Sequence, residues 1–358
     1  MSLDIVQVAP QLEQMLAALK QGVAQRDAQL SQVRGATIPQ PESAQDLRLD
    51  QAFEAAEPPA DFVVLATDGS QIDIDRHAPA SYYVINIGEV SLRYGSAPGA
   101  LLSNRPSAKL SDESLISQDA YPDEAVEEQD RVIVALERAV AELKGLLGIA
   151  RSCDPDLPTF ALVDGTLALW TFGAERFQPK VGTYIKEYEA TLRAFRDLAA
   201  QKPLLTLASY ISFPGSAEIA KVLNLDGLLD RQLFGELLRS PGERSPVFKS
   251  RSKMQEQLGE EGPIHFFYMN AGPEIGRIEV PPWVAEDPRR LSFVHATVFD
   301  QCRRNFGYPV ALMEAHEQAV VSEADRQAFR RLVERGLESH KLANGESMKS
   351  WSKRVPWA

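Results

Sequence analysis

Along the first thirty residues, apolar side chains recur with a helical period: Ile5, Val8, Leu12, Met15, Leu16, Leu19, Val23, Leu30 and Val33, spaced among Gln, Lys and Asp. That spacing predicts an N-terminal amphipathic helix with one buried stripe, bent where Pro10 removes a backbone donor. Residues 36–60 lose the period and fill with Pro, Gln, Ala and Glu, the composition of a linker. Strand patterns follow. Residues 61–67 are a Val-rich apolar run that predicts a buried strand, stopping in a tight turn at Asp68-Gly69-Ser70. Residues 81–87 and 89–94 predict two antiparallel strands on either side of Gly88, and residues 95–106 a loop.

Helical spacing returns between residues 122 and 147, through Val126, Val132, Ile133, Leu136, Ala139, Val140, Leu143 and Leu147, and predicts a helix of about seven turns. Residues 159–163 form another buried-strand run, and it too ends in Asp-Gly-hydroxyl, at Asp164-Gly165-Thr166. Further on, the pattern predicts a helix over 185–200, a strand over 204–209 and helices from Ser216 and over 229–238. Paired strands at 264–269 and 276–280, a helix over 293–306, a strand or strand-turn at 309–313 and a closing helix over 323–342 complete it. The organisation expected is a helix (1–35), a Pro-rich linker (36–60), a mixed α/β domain (61–345) and a tail (346–358).

Composition narrows the class. With 358 residues, 44% of them hydrophobic, the chain can bury a large core. Its longest apolar runs fall far short of the roughly 18 to 20 residues of a membrane span, and the N-terminus has no signal-peptide pattern, so a cytoplasmic location without membrane contact is expected. Cys153 and Cys302 have neither zinc-site spacing nor disulfide-scaffold density and are expected to be buried thiols. A net charge of −12 argues against a protein that coats nucleic acid. It leaves room for an enzyme whose carboxylates meet phosphate through divalent cations.

The two strand-end aspartates are the first candidates for chemistry. A carboxylate at the end of a buried strand is held rigidly, and two from neighbouring strands can converge as hard oxygen ligands for Mg²⁺ or Mn²⁺. Asp68 and Asp164 meet that description, although an Asp-Gly-hydroxyl step is also ordinary turn chemistry. His316, after the apolar run 309–313, is a candidate general base, proton shuttle or ligand, or else a hydrogen-bonded structural histidine. Tyr308 sits in a Gly-Tyr-Pro step that often buries the ring. Basic candidates for nucleic-acid contact are Lys249, Arg251 and Lys253 in a Ser-containing stretch, and Arg303 with Arg304; each is otherwise a solvated surface residue. No Gly-rich phosphate loop of the Walker type is present, so any ATP hydrolysis belongs to a partner.

Residues 62–70, 159–166 and 307–322, taken in order, resemble the NurA nuclease domain in strand context and in their Asp, Tyr and His residues, and the likeness extends over residues 61–342. The resemblance implies an α/β, RNase H-like mixed sheet flanked by helices and a Mn²⁺-preferring (or Mg²⁺-dependent) nuclease acting on DNA ends in repair or end resection. It also implies a homodimer docked on a HerA-type hexameric ATPase translocase. Asp68 and Asp164 match the family's metal-binding aspartates, and Tyr308 and His316 its C-terminal tyrosine and histidine, with His316 also a metal ligand. A helix glutamate completes the family's set. Glu137, at the edge of the apolar stripe, is favoured here, with Glu142 and Glu128 as the alternatives. A non-catalytic dimeric subunit that regulates a translocase is the rival reading, and a nuclease acting on RNA would use the same chemistry.

Overall fold

β-Branched and aromatic residues dominate the apolar runs, and their restricted χ1 angles favour extended backbone. The computed structural model describes residues 11–17, 20, 30, 36–38, 47–73, 82–110, 124–169, 180–202, 204–251 and 263–340. Its strands are β1 (Thr37–Ile38), β2 (Leu47–Arg48), β3 (Phe62–Ile72), β4 (Tyr82–Tyr94), β5 (Gly99–Leu110), β6 (Thr159–Asp164), β7 (Leu205–Ile211), β8 (Phe248–Lys249), β9 (His265–Asn270) and β10 (Ile275–Val280). The helices are labelled α1 (Glu124–Ser152), α2 (Lys180–Gln201), α3 (Glu218–Val222), α4 (Asp230–Leu237), α5 (Pro282–Ala285), α6 (Pro288–Arg304), α7 (Val310–Ala319) and α8 (Glu323–Ser339). The chain divides into two compact units, one of residues 1–55, 211–248 and 266–278, the other of 56–210, 249–265 and 279–358.

In the larger unit the strand order is β5-β4-β3-β6-β7. β3 to β5 form an antiparallel meander, and β6 and β7 add in parallel through the crossovers that contain α1 and α2. An antiparallel meander whose first strand is extended by parallel strands is the RNase H-like topology. On one face Val63 and Leu65 of β3, Ala161 and Val163 of β6, and Leu205 and Leu207 of β7 pack against Leu136, Val140, Leu143 and Leu147 of α1 and Leu192 and Phe195 of α2. The opposite face carries α6 and α7, with Phe293 edge-on to Phe160 at 6.5 Å.

The smaller unit buries its own cluster, in which Leu49, Leu233, Phe234, Phe266 and Tyr268 meet. The stretch expected as a linker forms the β1–β2 pair, and its fully buried Leu49 joins this cluster. Of the expected N-terminal helix, residues 11–17 are helical, with Leu12, Met15 and Leu16 about half exposed; the rest lies largely outside the described residues.

Four local expectations change. β3 continues through Asp68-Gly69-Ser70 as far as Ile72, because every one of its residues has a partner on β4. The expected pair of strands around Gly88 is a single strand, since the glycine accommodates a neighbouring helix instead of turning the chain. Much of the expected loop 95–106 belongs to β5, which is exposed on both faces and so shows no apolar alternation to read. Residues 310–313 open α7 instead of a strand. Pro309 caps it, and its buried positions beside Leu312 are Ala311, Ala315 and Ala319, too small to produce a conspicuous helical stripe.

Candidate active site

β3 and β6 are parallel, with Thr67 opposite Val163. Asp68 and Asp164 are therefore the next residues at one register level on adjacent strands, about 4.8 Å apart in the pairing direction and directed to the same face. β6 ends there. Beyond it β3 has no strand on that side among the described residues, and here comes Glu142 of α1, whose carboxylate accepts a hydrogen bond from the backbone N–H of Gly69. Two further features bring α1 so close. Thr67 Oγ1 donates to the Glu142 carbonyl at 3.0 Å, and a Cβ on Gly69 would collide with Glu142 Oε1 and Arg138 Cγ. Gly69 is thus required for close approach.

The electrostatics of this cluster are unbalanced. Glu142 keeps only 15% side-chain exposure, and its pKa is pushed up to about 8, chiefly by desolvation. Arg138, 3.4 Å away, and the Gly69 N–H oppose the shift, while the charges of Asp68 and Asp164 add to it. The Asp164 carboxyl is also raised: desolvation by the protein packed behind this solvent-open strand end contributes most, and Asp68 adds to it. Hydrogen bonds from the Tyr308 hydroxyl and the Gly165 N–H, with nearby His316, act the other way. Three carboxylates interact with one another, and among the described residues Arg138 and His316 are the side chains that oppose them.

Glu137 is placed elsewhere. It points to the far end of β4, where its carboxylate accepts hydrogen bonds from Tyr83 (2.7 Å) and Tyr184 (3.2 Å) and pairs with Lys109. Five residues, about a turn and a half, separate it from Glu142, enough to point the two side chains in different directions. Glu128 belongs to α1, but its side chain lies outside the described residues.

His316 and Tyr308 both reach the aspartates. α7 lies directly on β3 and β4, since a Cβ at Gly88 would strike the Ala315 carbonyl and the Ala319 N–H. Asn86 Nδ2 (2.9 Å) and Ser70 Oγ donate to the Ala319 carbonyl at the C-terminus of α7. This seating sets His316 Nδ1 2.8 Å from Asp68 Oδ2 with most of the imidazole in solvent. Tyr308 packs edge-on to buried Tyr210 at 5.7 Å.

Of the basic candidates, Arg303 and Arg304 are engaged outside the cluster. Arg304 pairs with Asp300 at 2.6 Å and stacks over Tyr94, and Arg303 pairs with Asp300 and Glu57. Lys249 closes β8 and Arg251 follows it, and Lys253 lies outside the described residues. One positioning residue escapes the sequence reading: buried Glu279 accepts from Thr166 Oγ1 (2.7 Å) and the Leu167 N–H (3.0 Å), which fixes the turn after Asp164. Its only signal is an acid flanked by apolar residues in Ile-Gly-Arg-Ile-Glu-Val.

Hard oxygen donors, acting on each other in a site short of positive charge, suit a divalent cation. Among the described residues no three acidic, His or Cys side chains already form a closed cage. The fit therefore lies in donor chemistry and charge, and not in a finished coordination shell.

An RNase H-like sheet with an acidic cluster on two adjacent strands defines the class: a mixed α/β domain with carboxylates gathered at one end of its sheet. Residues 62–321 match the NurA domain model, and the chain belongs to that family. Comparison with curated proteins gives no match. Among solved structures, the NurA nuclease from Sulfolobus solfataricus aligns with a TM-score of 0.55 at 13% identity, over 94% of this chain and 96% of that one. The catalytic domain of human Endonuclease V aligns at 0.32 and 14% identity, over 87% and 98%. Aquifex aeolicus Argonaute aligns at 0.28 and 9% identity, over 72% and 28%. The described residues contain no helix long and apolar enough to cross a membrane.

Proposed function

We propose that this chain is a divalent-metal-dependent deoxyribonuclease that hydrolyses DNA phosphodiesters at strand ends, with Mn²⁺ or Mg²⁺ held by Asp68, Asp164 and Glu142. The observation that supports this reading is the mutual approach of these three carboxylates on one sheet edge, with the Glu142 carboxyl pushed up to about 8 by desolvation first and by the charges of Asp68 and Asp164 after it. Glu142 takes the place that the sequence pattern favoured for Glu137. When bound, the cations supply the charge that offsets carboxylates and phosphate and that activates water.

The protein's own groups have separable tasks. Asp68 and Asp164 are fixed by the strands. Glu142, on α1, would supply a third carboxylate beside Asp68 and Asp164, deprotonated in the presence of a cation. The Tyr308 hydroxyl, by donating to Asp164, keeps that carboxylate charged and oriented. His316 steadies Asp68 through Nδ1 and leaves Nε2 to exchange a proton with water or the departing oxygen. Family membership, together with the Sulfolobus NurA nuclease, underlies the further reading of a homodimer that works in the cytoplasm with a HerA-type hexameric ATPase in end resection.

Asp68→Asn and Asp164→Asn test the core of this reading, because the amide keeps the shape and removes the charge that holds a cation. Each variant is expected to lose at least about 100-fold in cleavage of end-labelled single- or double-stranded DNA with Mn²⁺, and wild-type cleavage to stop in EDTA. Cleavage that survives full chelation, or near wild-type turnover in either variant, rejects it. RNA strands run in parallel decide the substrate class.

A further inference from the structure

The turn between α6 and α7 contains an unexplained aromatic. Asn305, Phe306, Gly307 and Tyr308 close α6 through Gly307 N–H to the Cys302 carbonyl (2.9 Å) and Tyr308 N–H to the Asn305 carbonyl (3.0 Å). Phe306 stands at φ +49°, in the left-handed region that such helix ends usually give to Gly or Asn. Asn and Gly flank it on either side, yet the bulky residue occupies this position, and its ring is 96% exposed. Neither burial nor backbone preference accounts for it. A side chain kept against local strain and against water marks a functional constraint.

Its location supplies the function. Phe306 stands two positions before Tyr308, a span of at most about 7 Å of chain, and Tyr308 donates to Asp164 in the acidic site. Gly307 between them is pinned by Tyr210, whose hydroxyl donates to its carbonyl at 3.3 Å. The turn is thereby anchored on the site side and displays the ring on the water side. Arg303 and Arg304, on the helical turn just before, keep 56% and 45% of their side chains exposed despite their bonds to Asp300.

We infer that Phe306 is a stacking platform for a nucleobase of a single-stranded nucleic acid whose backbone passes the acidic site, with Arg303 and Arg304 facing the neighbouring phosphates. The inference rests on the nuclease reading for the identity of the ligand, but it concerns binding and not bond cleavage. An aromatic face stacks on any base, so the contribution is independent of sequence. It places one unpaired base beside the scissile phosphate and so favours frayed or single-stranded ends over closed duplex.

The test is a set of binding titrations of full-length protein with single-stranded oligonucleotides in Ca²⁺, moving one abasic site or one 2-aminopurine along the strand. Wild-type protein should show one position where base removal weakens binding about tenfold and where 2-aminopurine fluorescence is quenched. Phe306→Ala should bind intact strand about tenfold more weakly and be insensitive to the abasic site, Phe306→Trp should restore both signals, and Phe306→Leu should not. Phe306→Gly, free of the backbone constraint, should melt no lower than wild type while binding as poorly as Phe306→Ala, which separates ligand contact from folding. Equal affinity of Phe306→Ala and wild type, full rescue by Phe306→Leu, or an unchanged abasic profile overturns the platform. So does a change confined to sedimentation, which would show that the ring packs on another protein. Mn²⁺-dependent cleavage by wild type is scored separately: cleavage without any dependence on Phe306 sinks this inference alone, and position-specific stacking without cleavage sinks the nuclease reading alone.

Discussion

At the scale of single residues, the two α1 glutamates turn a sequence ambiguity into a measurable contrast. Glu137 satisfies the amphipathic argument for a semi-buried acid, but two tyrosines and a lysine already meet its charge. Glu142 has the opposing charges of Asp68 and Asp164 instead. Glu142→Gln should therefore lower metal-dependent cleavage at least about 100-fold, whereas Glu137→Gln should lower the melting temperature and leave the rate within about threefold. The reverse pattern would return the site to Glu137. The pH dependence follows from the direction of the Glu142 shift. A carboxyl that holds its proton to about pH 8 when folded, against an ordinary value of 4.5, binds more protons folded than unfolded between those limits. Metal-free protein should then lose stability as pH rises from 5 to 8, at up to about 1.4 kcal/mol per pH unit from this group, with Asp164 contributing in the same direction. Thermal melts should show that slope in wild type, a flatter one in Glu142→Gln, and a stabilisation by Mn²⁺ that is larger at pH 8 than at pH 6. That Asp68, Asp164, Tyr308 and His316 lie near one another was legible in the sequence because they stand in short motifs, although Asp68 lies within β3 and His316 on α7. Which α1 glutamate lies beside them was not, since helical spacing says which residues share a face but not where a neighbouring strand has ended.

At the scale of elements, the site depends on two glycines that the sequence presents as punctuation. Both lie inside strands. Gly69 admits the Glu142 carboxylate, and Gly88 admits the backbone of α7, which delivers His316 to Asp68. Gly88→Val places a branched side chain against helix backbone, where no rotamer avoids the clash, and should cost about 1 to 3 kcal/mol. Cleavage should fall further than stability explains, because displacing α7 separates His316 from Asp68; a variant with wild-type activity at a temperature where it remains folded would show that this contact is dispensable. The strands and helices with a buried face were readable from their periods, as β3, β6, α1 and α6 attest. β5 was not, because a strand exposed on both faces obeys no alternation, and α7 was hidden because alanine carries little hydrophobic contrast.

At the scale of the larger unit, the order of strands along the chain has a kinetic consequence. The β3-β4-β5 meander joins neighbours in sequence, while β6 must return to β3 from almost a hundred residues away, after α1 has formed its packing face. Local pairings close cheaply and early, and this distant parallel pairing closes late. Asp68 and Asp164 come together only in that last pairing, so their repulsion is absent from the early transition state and acts on the docked product. Charge neutralisation should consequently appear in the lifetime of the native state: Mn²⁺ is expected to slow unfolding in denaturant and to leave the refolding rate nearly unchanged. Stopped-flow chevrons with and without the cation read this directly, and a cation-accelerated refolding limb would mean that the carboxylates meet before the parallel strands do. On the proposed reading the scaffold forms before its acids confront one another, and a bound divalent ion would act as a latch on a structure already formed.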